Sequence, residues 1–277
     1  MKVVTQIIKR EFSAKVATFI FVIFTVFWLS LFLGTTDDFY HGLYGSTYGI
    51  LAAWGGVMGI IYCSRWGGIK SVMGRVMLSF AIGLLLQFFG QVAYTVYIYV
   101  LHVDLPYPSI GDIGYFGSIP FYIYGVLMLA KASGVKLSRK SYRHKLMAFA
   151  IPVVLLVISY FFLLRGYVFD WSTPLVIFLD FGYPLGQAIY ISLAILVYLL
   201  SMGTLGGLMK SKILFFIFAL FVQYLSDFSF IYLVKNDLWF VGGINDYIYL
   251  VSYFVMTLAL IQLKTVYDDL TGKTTKN

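Results

Sequence analysis

Apolar residues run along this chain in eight long blocks separated by short polar stretches, at 16–33, 44–62, 76–101, 111–130, 146–164, 175–200, 213–234 and 247–263. Each is close to the roughly 20 residues that cross about 30 Å of hydrocarbon at a rise of about 1.5 Å per residue. The pattern predicts an all-α fold, a polytopic bundle of eight transmembrane helices over residues 1–264. Residues 265–277 are expected to form a short cytoplasmic tail, too small for a folded core of its own.

The polar residues inside these blocks are not scattered. The spacing Asp-x-x-Tyr recurs near the start of three of them, as Asp112/Tyr115, Asp180/Tyr183 and Asp246/Tyr249. Residues three apart share a helix face, so each repeat is expected to present a carboxylate and a phenol side by side. The three Asp lie 68 and 66 residues apart, each opening a helix of the same direction, which points to repeated two-helix hairpins. Asp38 is a weaker earlier counterpart, with His41 in place of the tyrosine.

A carboxylate in a membrane helix costs about 2.5–3.5 kcal/mol at mid-span and usually faces a bundle interior or a wet cavity. Asp112 and Asp246 have a plain alternative role at helix N-termini, where backbone N–H groups lack partners. Asp180 is harder to explain so, because it falls well inside its block and Pro184 cannot donate to its carbonyl. Asp227 lies deeper still. Gln87, Gln91, Gln187 and Gln223 belong to the same layer, either as pocket lining or as interhelical hydrogen-bonding groups. The expected ligand-binding set is Asp112, Tyr115, Asp180, Tyr183, Gln187, Asp227, Asp246 and Tyr249. A stacking or cation-binding pocket from Tyr94, Tyr97, Tyr115, Tyr183 and Tyr249 is a further possibility of the same pattern.

Composition excludes a soluble domain: 61% of residues are hydrophobic, 12% charged, and the mean hydropathy is +0.88. Charge then supplies orientation. Of 20 Lys and Arg, 18 fall in the N-terminal segment, alternate loops and the tail, leaving only Arg165 and Lys235 for the other side. Basic segments stay cytoplasmic, so both termini are expected inside a cell membrane, with Asp37, Asp38, Asp104, Asp170 and Asp237 outside. The net charge of +8 reflects that bias and calls for no nucleic acid. The first block is longer than a signal-peptide core and lacks a small-residue cleavage site, so it reads as a retained helix.

The three His and single Cys offer no zinc or haem spacing within the membrane, and no cofactor is expected. His41 and His102 could meet Asp37 or Asp104 around an external metal. Cys63 reads as a buried or idle thiol, with acylation the alternative. The glycines around Gly45–Gly49 and Gly55–Gly59 read as close helix-packing faces rather than phosphate loops.

Three segments carry a resemblance: Tyr107-Pro-Ser-Ile-Gly-Asp-Ile-Gly-Tyr115, Leu179-Asp-Phe-Gly-Tyr-Pro-Leu185 and Gly243-Ile-Asn-Asp-Tyr-Ile-Tyr-Leu-Val-Ser-Tyr253. Over 107–264 the chain resembles the uncharacterised multi-helix membrane modules that precede diguanylate cyclase and phosphodiesterase domains in bacterial signalling proteins. Asp268-Asp-Leu-Thr-Gly272 is similar to the start of such a cyclase domain, and the sequence ends five residues later, as in either a truncated fusion or a free-standing relative. The resemblance implies a sensory role without naming the signal. The leading reading of the residues is a non-enzymatic membrane sensor or ligand-binding module with an outward-facing pocket, which binds an unknown small molecule and passes a signal through its last helix to a cytoplasmic signalling protein. Two alternatives share the residues: a transporter for a small cation or proton-coupled solute, and an intramembrane lipid hydrolase using paired carboxylates. The hydrolase reading has a parallel in the helix number of lysoplasmalogenases, without a matching motif.

Overall fold

The computed structural model describes residues 2–34, 37–103, 105–134, 142–201 and 208–272. Asp104, the middle of the basic loop and the tail from Lys273 onward lie outside the described residues. Among the described residues the chain is helical without strands: α1 (Lys2–Arg10), α2 (Phe12–Gly34), α3 (Asp38–Thr47), α4 (Ile50–Cys63), α5 (Val72–Thr95), α6 (Gly111–Ala132), α7 (Tyr142–Ser159), α8 (Pro174–Ser201), α9 (Leu208–Lys235) and α10 (Ile244–Leu270). Among the described residues eight spans are long and apolar enough to cross a membrane, α3 and α4 forming one of them, and the protein is a multi-pass membrane protein.

All eight spans stand where the apolar blocks place them, with three informative differences at their ends. The second begins earlier, because Asp37 caps α3 by accepting the Phe39 N–H and Asp38 starts the helix. The third and fifth finish in wide π turns, Val96–Val100 and Tyr160–Leu164. The last continues past Lys264 to Leu270.

Six spans close into a circuit, α4 on α5, α5 on α6, α6 on α8, α8 on α9, α9 on α10 and α10 back on α4. The other two are peripheral, α2 against α10 and α7 against α8. Burial agrees: 17% and 11% of the apolar windows of α2 and α7 are buried, against 39–61% for the six ring members. Large side chains such as Phe19, Phe32 and Phe149 accordingly face outward, where only lipid satisfies them. The tightest seam is α5 on α6, where glycine lets tyrosine rings reach the axis. A Cβ on Gly90 would stand 2.6 Å from the Tyr115 ring, and Gly83 makes the same room for Tyr122.

The two ends of the ring differ in chemistry. At the end bearing the α10 C-terminus, Lys264 pairs with Glu11 and with Asp268 (3.0 Å), Arg65 with Asp268 (3.0 Å) and Arg10 with Asp269 (2.6 Å). The Trp66 indole adds a hydrogen bond to the Leu263 carbonyl at 3.1 Å. The Asp-Asp pair at 268–269 therefore has partners inside this chain. Cys63 lies buried nearby, its thiol donating to the Gly74 carbonyl at 3.3 Å.

Candidate functional site

The opposite end gathers the starts of α3, α6, α8 and α10 and the ends of α5 and α9, and with them all four predicted carboxylates. Asp112 and Asp246 do perform the helix-start role. Asp112 Oδ2 accepts the Ser109 N–H (2.7 Å) and Ser109 Oγ (3.2 Å), and Asp246 Oδ2 accepts the Gly242 N–H (2.7 Å). Each carboxylate has a second duty, however. Asp112 Oδ1 accepts the Tyr183 hydroxyl at 2.7 Å, and Asp246 accepts the hydroxyl of Tyr48.

Asp227 is the acceptor with the most side-chain donors. It is 8% exposed, close to the 5% of Asp246, and it takes more side-chain donors than the other three: Tyr190 (3.0 Å), Tyr249 (3.0 Å) and Gln223 Nε2 (2.9 Å). Gln223 Oε1 is held in turn by the Ser252 hydroxyl at 2.6 Å, so the amide cannot flip without losing two bonds. Tyr253, 1% exposed, stands within electrostatic reach of both Asp227 and Asp246 and donates to Gln87 Oε1 at 3.3 Å, while Gln87 Nε2 donates to Ser118 at 2.9 Å. Tyr115 lies within reach of both Asp112 and Asp246.

The hydrogen bonds run between the repeats rather than within them. The tyrosine of a repeat does not serve its own aspartate: Tyr183 on α8 reaches Asp112 on α6, and Tyr249 on α10 reaches Asp227 on α9. A phenol is long enough to bridge the roughly 8–10 Å between packed helix axes, whereas Asp112 and Asp246, on their short stems, bend back to cap their own first turns. Of the five tyrosines of the sequence pattern, Tyr94, Tyr183 and Tyr249 stand within electrostatic reach of Tyr115, while the hydroxyls of Tyr183 and Tyr249 are spent on carboxylates and the Tyr115 ring packs on Gly90.

Asp180 differs from expectation in its depth. It sits in α8 as the pattern predicts, but at the rim, its oxygens taken by Tyr107 (2.7 Å) and Tyr167 (2.8 Å), which fold over it from the flanking loops. Tyr107 is itself 52% exposed. Burial and then the bond to Asp180 push the Tyr107 phenol up, and the same causes raise Tyr167 to about 12. Nearby, the Ser172 hydroxyl and N–H hold Asp170 below the usual carboxylate range. Asp227 and Asp246 are the buried acceptors, and Asp180 is a half-buried one.

Gln187 is buried on α8 with its carbonyl oxygen unpartnered, and the fully buried Tyr122 hydroxyl, within reach of Asp227, is also unpartnered among the described residues. No group of three His, Cys, Asp or Glu among the described residues is arranged to hold a metal. His41 Nδ1 instead faces the Val241 carbonyl at 3.2 Å.

Sequence reasoning missed four of the six phenol donors. Tyr190 carried a usable signal, because it lies seven residues after Tyr183 and so shares its face. Tyr48, Tyr107 and Tyr167 carried none, since their roles arise from how a helix break and two loops fold over. The resulting chemistry is an acceptor layer: six phenols, one amide, the Ser109 hydroxyl and backbone N–H groups answer four carboxylates, while the Lys and Arg pairs with Glu11, Asp268 and Asp269 lie at the other end of the ring. No known family model matches this chain, and neither does any curated protein or solved structure.

Proposed function

We propose that this protein is a membrane sensor module that takes a small cationic ligand at its Asp/Tyr end and passes the change along α10 to a cytoplasmic signalling protein. The observation that carries this reading is the segregation of charge. Four carboxylates are stabilised by neutral donors alone at one end, and α10 joins them to a cluster of ion pairs at the other. A cation entering the acceptor layer gains Coulomb energy from carboxylates that no Lys or Arg has already neutralised. By the basic-residue bias the acceptor layer faces outward and both termini face the cytoplasm.

Helix α10 is suited to transmission because it carries Asp246 and Tyr249 near its start and Lys264, Asp268 and Asp269 near its end. A shift or rotation at the first pair changes which ion pairs form at the last three. The resemblance of 107–264 to the membrane modules of cyclase proteins supports the same direction of signal flow. The test is a fusion of a cyclase domain after Gly272 with one to four alanines inserted after Leu270, beyond the ion pairs. Each added alanine rotates the fused domain by about 100°, so output should vary with length and partly recover near four. Output that is flat across the series at equal membrane levels would overturn the sensor reading.

A transporter is the second reading, and one observation favours it. The ring interior continues inward from Asp227 as a polar zone that includes the unpartnered Tyr122 hydroxyl and Gln187 carbonyl oxygen. Cation uptake into proteoliposomes, abolished by a protonophore, would promote it. The hydrolase reading has no observation of its own that favours it.

A further inference from the structure

We infer that the cleft beside the acceptor layer is a site for a small organic cation, an amine or quaternary ammonium group, bound by an aromatic cage. The inference rests on the reading of this end as the ligand-receiving end and names the ligand class. The cleft has a volume of about 410 Å³ and is lined by Asp38, His41, Tyr94, Tyr99 and Phe240. That volume lies within the roughly 300–1,000 Å³ of small-molecule sites.

Three elements converge to build it. The first turn of α3 supplies Asp38 and His41, and the α9–α10 connection supplies Phe240, whose ring stands 6.1 Å from the His41 ring. The end of α5 supplies the two tyrosines, and its π turn is what makes this possible. Five residues apart on a regular helix, Tyr94 and Tyr99 would point about 140° apart. The turn at Val96–Val100 closes instead with Leu101 N–H donating to the Val96 carbonyl, five residues back, and this wider winding brings Tyr99 round to the same cleft. Gly42 completes the fit, because a side chain there would collide with the Tyr99 hydroxyl.

The chemistry of the lining selects the ligand. One carboxylate and three aromatic rings provide a negative field and π faces, which hold a cation that carries its own apolar surface. A bare metal ion is poorly served, since hard cations require about six or more oxygen ligands. Asp246 stands within electrostatic reach of Tyr94, so the ring that faces the cleft is backed by a buried acidic group.

The test is calorimetric titration of the purified full-length protein in micelles with tetramethylammonium and choline at constant ionic strength, against 3,3-dimethylbutanol, the neutral isostere of choline. Both cations should bind and the alcohol should not. Phe240→Leu and Tyr99→Leu should each weaken binding about two- to thirtyfold, while Tyr99→Phe, which keeps the ring, should stay within about twofold of wild type. Phe240 is 58% exposed, so its truncation leaves the core intact. Equal binding of the alcohol would reduce the cleft to an apolar hollow and overturn the inference. So would absence of cation binding, or binding that survives both ring truncations and is lost in Asp227→Asn, which would move the ligand into the acceptor layer and leave the sensor reading standing. A flat alanine series with cage binding intact would do the reverse.

Discussion

The decisive perturbation is at Asp227, because stability and function should separate there. Asp227→Leu strips the acceptor from Tyr190, Tyr249 and Gln223 while removing a carboxylate from a low-dielectric interior. Hydrogen bonds between membrane helices average about 0.6 kcal/mol and reach about 1.7, so three are worth about 2 kcal/mol on average and about 5 at most. Relief from burying the charge returns about 2.5–3.5 kcal/mol. The two nearly cancel, and Asp227→Leu should fall between about 1 kcal/mol more stable and about 2 kcal/mol less stable than wild type. Asp227→Asn keeps one acceptor oxygen and adds an amide that a rotated tyrosine hydroxyl can accept, so it should stay within about 1 kcal/mol. Reversible unfolding in mixed micelles, monitored by near-UV circular dichroism, measures both. The same variants fused to a cyclase reporter should lose ligand-dependent output. A loss above about 3 kcal/mol in the Leu variant would show that the three bonds outweigh the desolvation cost and make Asp227 structural. Unaltered output from the Asn variant would refute the functional assignment.

Lys264→Met should destabilise by about 3 kcal/mol, since it strands Glu11, whose side chain is 7% exposed, and adding Glu11→Gln should recover most of the loss in the same unfolding assay. Gly90→Ala should cost about 1–3 kcal/mol by forcing the Tyr115 ring away, whereas Gly117→Ala, which meets only Leu86 at 3.9 Å, should be neutral or slightly stabilising. Orientation is testable by labelling with an impermeant maleimide. Because Cys63 is buried, the reporters are Ser172→Cys and Ile69→Cys in a Cys63→Ser background, and intact cells should label the first only; the opposite pattern would place the acceptor layer on the cytoplasmic side.

Much of this molecule is legible without coordinates, and the reason is the solvent. A bilayer obliges each crossing segment to satisfy its own backbone, so a run of apolar residues of the right length is a helix whatever it packs against. That determined the eight spans, the class of protein and the alignment of Asp112, Asp180, Asp227 and Asp246 at one end. Partnership was not determined so. Which helices close the ring and which stay peripheral is set by packing, because the apolar pattern is nearly the same for both. The depth of Asp227 is legible from its place inside its block, but only packing buried Asp246 as completely, put Asp180 under two loop tyrosines and gave Asp112 a phenol from α8 instead of its own repeat. The cage at Tyr94, Tyr99 and Phe240 was equally hidden, because a single wide turn at the end of α5 decides where Tyr99 points, and no residue in Val96–Val100 announces it.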